Sequence, residues 1–338
     1  MQCIRPQQYK ANLHCHSNLS DGSLTPQELK EAYKAHGYSI LAITDHERPH
    51  DHTGMSEADF LMLTGYEVYI RPNEECRYDA FQPELHINLF AKDPHNIDSI
   101  CFNERYVKYV KDPAEKAAMH KYGSQAPRQY TQDYINAFIR TAKEDGYIVS
   151  LNHPEWSLEE DEILYGFEGF FSMELCNYGV FVSGLHEYNG ALYDKMLRRG
   201  KRLFAHSADD NHDKVPLGKP GNDSFGGFAM ICADTLTYEA VIEALEKGDF
   251  YSSMGPEIYS MEIRDNKVHV ECSEAVCIAL LYGGKETRHV YPEAEGQFVT
   301  EADFEIPARA EYVRVSVIDE KGRIADTRGY FRDEWEEK

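Results

Sequence analysis

Two imidazoles one residue apart, His14 and His16, stand in the segment Ala11-Asn-Leu-His-Cys-His-Ser-Asn-Leu-Ser-Asp-Gly22. In an extended chain alternate side chains share a face, so both can reach one ion while Cys15 points into the opposite layer. Asp21 follows in a Ser-Asp-Gly turn, close enough to serve the same metal or its neighbour. Later apolar runs end at, or carry, His46, Glu67, His86, His153, Asp210 and His212. The nine side chains are six imidazoles and three carboxylates, a nitrogen and oxygen set without thiolate. Such donors suit Zn²⁺, Mn²⁺ or Fe²⁺ in open catalytic sites. Three carboxylates against three divalent cations leave a surplus of about +3, a field built for a phosphate dianion. Water held among such cations ionises near neutral pH and can attack phosphorus in line with the leaving oxygen.

Those residues need a scaffold that brings strand ends together. Thr25-Pro-Gln-Glu28 reads as a helix start, with Thr as N-cap, Pro at the first position and Glu closing a capping box. Leu29, Ala32, Tyr33 and His36 recur at helical spacing until Gly37, and a buried strand over 39–44 then delivers Asp45 and His46. The unit repeats. Strands are predicted at 60–70, 85–91, 146–151, 170–175, 202–208 and 227–233, with helices at 132–145, 190–199 and 238–247. Alternation of this kind implies a parallel sheet, and this many units imply closure into a barrel with the candidate ligands at its mouth. Residues 93–131 break the rhythm and read as a helical insertion covering the site. After residue 254 only short β runs remain, at 257–264, 268–272, 276–282, 298–306 and 312–318, so a small antiparallel sheet or sandwich is expected. Residues 333–338 read as a solvated tail.

Composition narrows the partners. The chain has 338 residues, 58 acidic against 35 basic, and a net charge of −23. Long nucleic acids bind through many Lys and Arg contacts, so extended DNA or RNA is disfavoured, whereas a small phosphorylated molecule is compatible with a local cationic centre. No apolar run is long enough to span a membrane, and the first residues lack the apolar core of a secretory signal. Eight cysteines, at 3, 15, 76, 101, 176, 232, 272 and 277, form no C-x-x-C pair. They read as reduced, mostly buried thiols of a cytoplasmic protein.

Six segments in order then carry a resemblance: His14-Cys-His16 with Ser20-Asp-Gly22, Ile43-Thr-Asp-His46, Gly65-Tyr-Glu67, His86, Asn152-His-Pro154 and Ser207-Ala-Asp-Asp-Asn-His212. The chain resembles the PHP (polymerase and histidinol phosphatase) family of metal-dependent phosphoesterases over roughly residues 9–254. The resemblance implies a distorted (β/α)7 barrel over 1–254, a C-terminal antiparallel β-sandwich-like domain over 255–338, and a trinuclear site loaded with two or three Zn, Mn or Fe ions. It implies that His14, His16, Glu67 and Asp210 hold the first metal and Asp21, His46 and His212 the second. His86 and His153, bridged by Glu67, would hold the third. Asp21 departs mildly from relatives that carry a His there, and Asp210 is chosen over Asp209 from the Asp-x-His spacing. The implied activity is hydrolysis of a small phosphate ester, monoesters ahead of diesters.

Several residues beside these invite weaker assignments. Lys214, Lys219, Arg128 and Arg48 are candidates to hold the non-reacting part of a substrate, the two lysines because they lie in a Gly- and Pro-rich loop directly after His212. His206 shares the face of Asp210 by strand alternation and is a candidate proton donor or brace. Asp45 would orient an imidazole, Glu174 and Asn177 would brace the pocket, and His50 and His52 read as surface or lid histidines. Two rival readings remain. One is an amidohydrolase-type barrel hydrolase, against which the bridging position reads as Glu67 and not as a lysine. The other is a non-catalytic metal-binding module.

Overall fold

The computed structural model describes residues 1–73 and 77–336. One mixed sheet of 14 strands runs through it. Its first part orders Phe204–Ala208, Ser172–Asn177, Tyr147–Leu151, Leu85–Ala91, Leu61–Ile70, Ile40–Ile43, Tyr9–Asn12, Phe228–Ile231 and Phe250–Ser253. The predicted helices form as Pro26–Ala35, Gln132–Glu144, Gly190–Arg198 and Tyr238–Lys247. The first carries the capping box of Thr25 and Glu28, and the last ends on Gly248 at φ 73°, a left-handed position that glycine takes without strain.

The pairing is α/β but not the parallel, closed barrel that the alternation predicts. Tyr9–Asn12, Ile40–Ile43 and Leu61–Ile70 pair in parallel, as do Tyr147–Leu151, Ser172–Asn177 and Phe204–Ala208. Leu85–Ala91 lies antiparallel to both its neighbours, and Phe228–Ile231 is antiparallel to Tyr9–Asn12. Parallel neighbours need a long crossover, usually a helix. The connection between Ile70 and Leu85 has no helix among its described residues, so the chain turns back on itself. Nor does a ladder join the Phe204–Ala208 strand to Phe228–Ile231 or Phe250–Ser253 among the described residues. These strands meet instead through the Ser207 and Ser252 hydroxyls, 2.6 Å apart, and a close approach at Gly227. A Cβ on Gly227 would lie 2.4 Å from the Ala208 carbonyl oxygen.

Residues 93–131 are not the helical insertion that the sequence predicts. Only Pro113–Ala118 is α-helical there, beside a two-strand pair, Ser99–Ile100 with Lys121–Tyr122. The segment is polar and rich in turn-formers, and it packs small apolar clusters such as Phe102, Val107 and Val110.

Beyond Ser253 the large sheet continues through Ile324–Thr327, Tyr312–Ile318, Cys277–Leu281 and Arg288–Val290. A second, four-stranded sheet pairs Gln2–Ile4, Ile258–Arg264, Lys267–Ala275 and Val299–Glu305. Between the two lies one apolar core holding Met261, Ile263, Val270, Phe304, Val313 and Val315. Cys3, Ile4, Cys232 and Tyr251 belong to that same core, so the chain start is stitched into the C-terminal β region. Arg314, 3% exposed at its side chain, ties this region to the helix Gly190–Arg198 by pairing with Asp194 at 2.7 Å and Asp326 at 2.6 Å. The tail is not wholly solvated: Arg332–Trp335 is a helical turn, with Asp333 paired to Arg202 and Glu334 to Arg328. Seven cysteines are buried and free, while Cys76 and residues 337–338 lie outside the described residues. Among the described residues no helix is long and apolar enough to cross a membrane.

Candidate metal centre

The nine candidate ligands converge. His14 and His16 follow the Tyr9–Asn12 strand, and Cys15 between them turns away into a cluster with Leu29, Tyr33 and Leu41, as alternation requires. Backbone bonds from His16 N to Asn211 O (3.0 Å) and from Asp210 N to His14 O (2.9 Å) clamp this segment to the Asp210 segment. Glu67 sits inside Leu61–Ile70, and His46 bridges to it just past Ile40–Ile43. His86 stands near the start of its strand, opposite Tyr69. The antiparallel direction of Leu85–Ala91 is what puts this early residue at the rim where its parallel neighbours end. His153 and Asp210 have φ of 21° and 51°, a region costly for non-glycine residues, so the loops spend backbone strain at this rim.

Four overlapping groups each gather donor atoms within 4.8 Å: His16, Asp21, His46 and His212; His14, Glu67 and His153; His14, His16 and Asp210; and His46, Glu67 and His86. His14 Nε2 lies 3.2 Å from Glu67 Oε1 and 3.1 Å from Asp210 Oδ1. His16 Nε2 is 2.9 Å from the same Asp210 oxygen, and His46 Nδ1 is 2.9 Å from Glu67 Oε2. Asp21 closes the outer side, 3.6 Å from His46 Nε2 and 3.5 Å from His212 Nε2. Asp209 takes no part: its carboxylate accepts from Tyr33 and from the backbone N–H groups of Phe225, Gly226 and Gly227.

The donors fit divalent cations. His16 Nδ1 is buried without a hydrogen-bond partner among the described residues, a state that costs about 1–3 kcal/mol, and His46 Nδ1 and Glu67 Oε2, though 2.9 Å apart, are not aligned for a hydrogen bond. Bracing groups aim the remaining lone pairs inward. Glu174 Oε1 accepts from His14 Nδ1 at 2.7 Å, and Ser157 Oγ lies 3.2 Å from His153 Nδ1, which leaves each Nε2 facing the cluster. Asn177 joins Glu174 to Asp210 through its amide, 3.0 Å to each. Burial opposes charge on His16 and His86, yet Asp210 and Glu67 raise the pKa of His16 to about 10, and Glu67 and Glu84 raise that of His86 to about 10. Burial also works against ionised Asp21, but His46, His16 and His212 bring it down to about 2. Metal ligation requires neutral imidazoles, so cation binding displaces the protons that Asp210, Glu67 and Glu84 favour on His16 and His86.

The weaker assignments fare differently. Arg128 is buried away from the cavity, with Nη1 and Nη2 on the Glu47 carboxylate at 2.5 and 2.8 Å. Lys214 bonds the Asp21 carbonyl and Lys219 is exposed; neither lines the cavity. Arg48 holds Leu19 O and Glu115. His206 is fully buried, 3.1 Å from Ser172 Oγ, and does not line the cavity, and burial pushes its pKa down to about 4. Asp45 bonds Ser17 and Ser20 and braces the loop carrying Asp21, where an imidazole partner is expected. His52 is buried and His50 exposed, so only the second fits a surface reading.

The ligand cluster floors an open cavity of about 440 Å³. Its walls include Tyr69, Arg71, Lys108, Tyr109 and Trp156. Tyr109 donates to Asp21 Oδ2 at 3.0 Å and stacks on His46, so the 93–131 segment does cover the site. Sequence reasoning missed Arg71, although it follows Glu67 and Tyr69 at the two-residue period of a strand, a signal that could have marked it. Nothing local in the sequence marked Trp156.

Residues 12–148 match the PHP domain family. The matched stretch contains His14, His16, Asp21, His46, Glu67 and His86. A 66-residue stretch is 38% identical to a 5'-3' exoribonuclease of Haemophilus influenzae, covering 18% of this chain and 23% of that protein. The chain thus spans about a quarter of that relative's length. Among solved structures, a two-domain protein from Bacteroides vulgatus containing a PHP-like metal-dependent phosphoesterase aligns over 94% of both chains, at 14% identity and a TM-score of 0.46. A metal-dependent phosphoesterase from Bifidobacterium adolescentis aligns over 63% of this chain and 92% of its own (18% identity, TM-score 0.35). An amidohydrolase from Chromobacterium violaceum aligns over 71% and 96% (17% identity, TM-score 0.40). The PHP domain stretch ends before His153, so the last three candidate ligands come from the chain beyond it.

Proposed function

We propose that the chain is a metal-dependent hydrolase of small phosphate esters, with monoesters preferred over diesters and residues 1–254 as its catalytic domain. One observation carries this reading: nine nitrogen and oxygen donors from six separate stretches of chain gather in one cluster, and seven of them line one cavity. His14, His16, Glu67 and Asp210 are suited to one ion, Asp21, His46 and His212 to a second, and His86 and His153 with Glu67 to a third. When bound, Zn, Mn or Fe ions would polarise the phosphoryl oxygens and make water acidic enough to supply the nucleophile. The protein's own part is positional. Glu174 and Asn177 lock His14 and Asp210, Tyr109 holds Asp21, and Arg71, ion-paired with Glu84, and Lys108 stand on the cavity wall beside the rest of a bound substrate. A phosphomonoester dianion balances a cationic floor better than a diester monoanion does, which supports the order of preference. The free thiols agree with a cytoplasmic location.

The test is elemental analysis of purified protein with a hydrolysis panel of p-nitrophenyl phosphate, bis-p-nitrophenyl phosphate, an anilide and a lactone. More than one equivalent of transition metal and fastest release from the monoester are expected, with His14→Ala and Asp210→Ala inactive but folded by circular dichroism. A single tightly held ion would defeat the three-ion arrangement. Turnover of the lactone or anilide alone would move the chain to amidohydrolase chemistry, and a metal-loaded protein inert towards every ester would make it a binding module.

A further inference from the structure

A second cavity, of about 490 Å³, opens near the strand ends opposite those that carry the ligand cluster. Ile148, Phe171 and Phe204 line it from the beginnings of three neighbouring strand segments, whereas His153 and Asp210 follow the far ends of two of them. Its wall is apolar and mostly buried: Leu151 is 1% exposed, Leu164 1%, Phe167 5%, Met196 3% and Leu203 8%. A void of this size lies within the range of about 300–1,000 Å³ that small-molecule sites occupy.

The mouth is cationic in a chain whose net charge is −23. Lys143, Lys201 and Arg202 line it, with Glu168 and Glu246 as the acids. Glu246 is taken by Lys92 at 2.7 Å, and Arg202 by Asp333 at 2.8 Å. Lys201 bonds only the Phe167 carbonyl, at 3.1 Å, and Lys143 has no ion-pair partner among the described residues. Lys143 Nζ stands beside Gly169, whose positive φ of 94° bends the loop over the opening. Two ammonium groups and one carboxylate, that of Glu168, are therefore left at the lip of an apolar hole.

We propose that this cavity binds a small amphiphilic monoanion, its hydrocarbon part seated among Leu164, Phe167, Met196 and Leu203 and its carboxylate between Lys143 and Lys201. Apolar walls provide burial without direction, and the two lysines select for charge at one end only. The site does not depend on the phosphoesterase reading, since no candidate ligand lines it.

The metal-loaded full chain is titrated with 8-anilinonaphthalene-1-sulfonate, followed by fluorescence, and the dye is displaced with decanoate or with decanol. Saturable binding at one site is expected, with decanoate displacing the dye roughly tenfold better than decanol. Lys143→Glu combined with Lys201→Glu should weaken decanoate by roughly tenfold or more while the circular dichroism spectrum and ester hydrolysis are retained. Leu203→Trp, which fills the void from its wall, should lower dye and decanoate binding together. Equal displacement by decanol, unchanged decanoate affinity in the charge-reversed protein, or no saturable binding overturns the proposal.

Discussion

Glu174→Gln is the perturbation that probes the candidate centre most sharply, because Glu174 touches no proposed ion. Its Oε1 accepts from His14 Nδ1 at 2.7 Å, and its Oε2 accepts from His153 N at 2.8 Å and from Asn177 Nδ2 at 3.0 Å. All three partners donate. A glutamine has one oxygen, so one end of its amide must present N–H to a donor. If that end faces His14, the imidazole regains a bond only by moving its proton to Nε2, the nitrogen that faces Glu67 and Asp210. A hydrogen bond to a charged group is worth about 1.5–3 kcal/mol. Its loss predicts roughly a 10–100-fold weaker hold on metal, in line with the usual cost of removing a group that orients a ligand. Parent and variant are dialysed against graded chelator, metal is counted by elemental analysis, and turnover is measured at saturating metal. Melting of the stripped proteins serves as the control. Matching metal-retention curves, or a melting shift without any change in retention, would refute the reasoning.

Three further outcomes follow from the same geometry. Arg314→Ala leaves Asp194 and Asp326 facing each other without their guanidinium, and urea unfolding should show a loss of about 3–5 kcal/mol, as for other broken buried pairs. Burial raises the Glu159 carboxyl from 4.5 to about 7 against the Tyr130 hydrogen bond and His86, so the folded state favours the protonated form. That contribution is complete below the unfolded pKa and is lost as pH rises through about 7. The stability of Glu159→Gln relative to the parent should therefore increase between pH 4.5 and 7.5, by at most about 3 kcal/mol, and an unchanged difference across that window rejects the assignment. Tyr109→Phe removes the bond to Asp21 and should lower kcat/KM by roughly 2–10-fold without altering the fold, read by steady-state kinetics.

Legibility followed locality. The helices at Pro26–Ala35, Gln132–Glu144, Gly190–Arg198 and Tyr238–Lys247 emerged almost to the residue, because caps and 3.6-residue periods are written in adjacent positions. All nine candidate ligands were picked out as His, Asp or Glu beside apolar runs, and the structure gathers them. Strand direction was not legible. A run such as Leu85–Ala91 looks the same to a reader whichever way it runs, and its antiparallel pairing with both neighbours is set by partners distant in the chain. Residues 93–131 depart from the helical expectation because the segment is polar and broken by turns, and only Pro113–Ala118 forms an α-helix there.

Residue type and spacing by themselves determined the donor chemistry: imidazoles and carboxylates recurring in or beside apolar runs, and no thiolate among them. The tertiary structure alone decided which cations stand near the site. Arg128 is paired with Glu47 away from the cavity, Lys214 and Lys219 stay outside, and Arg71, paired with Glu84, and Lys108 line the wall. It also decided which atoms Glu174 and Asn177 brace and that Phe204–Ala208 meets Phe250–Ser253 through the Ser207 and Ser252 hydroxyls, with no ladder between them among the described residues. The physical reason is range. A donor's chemistry belongs to its own side chain, but its partners, burial and field come from residues that only folding brings near.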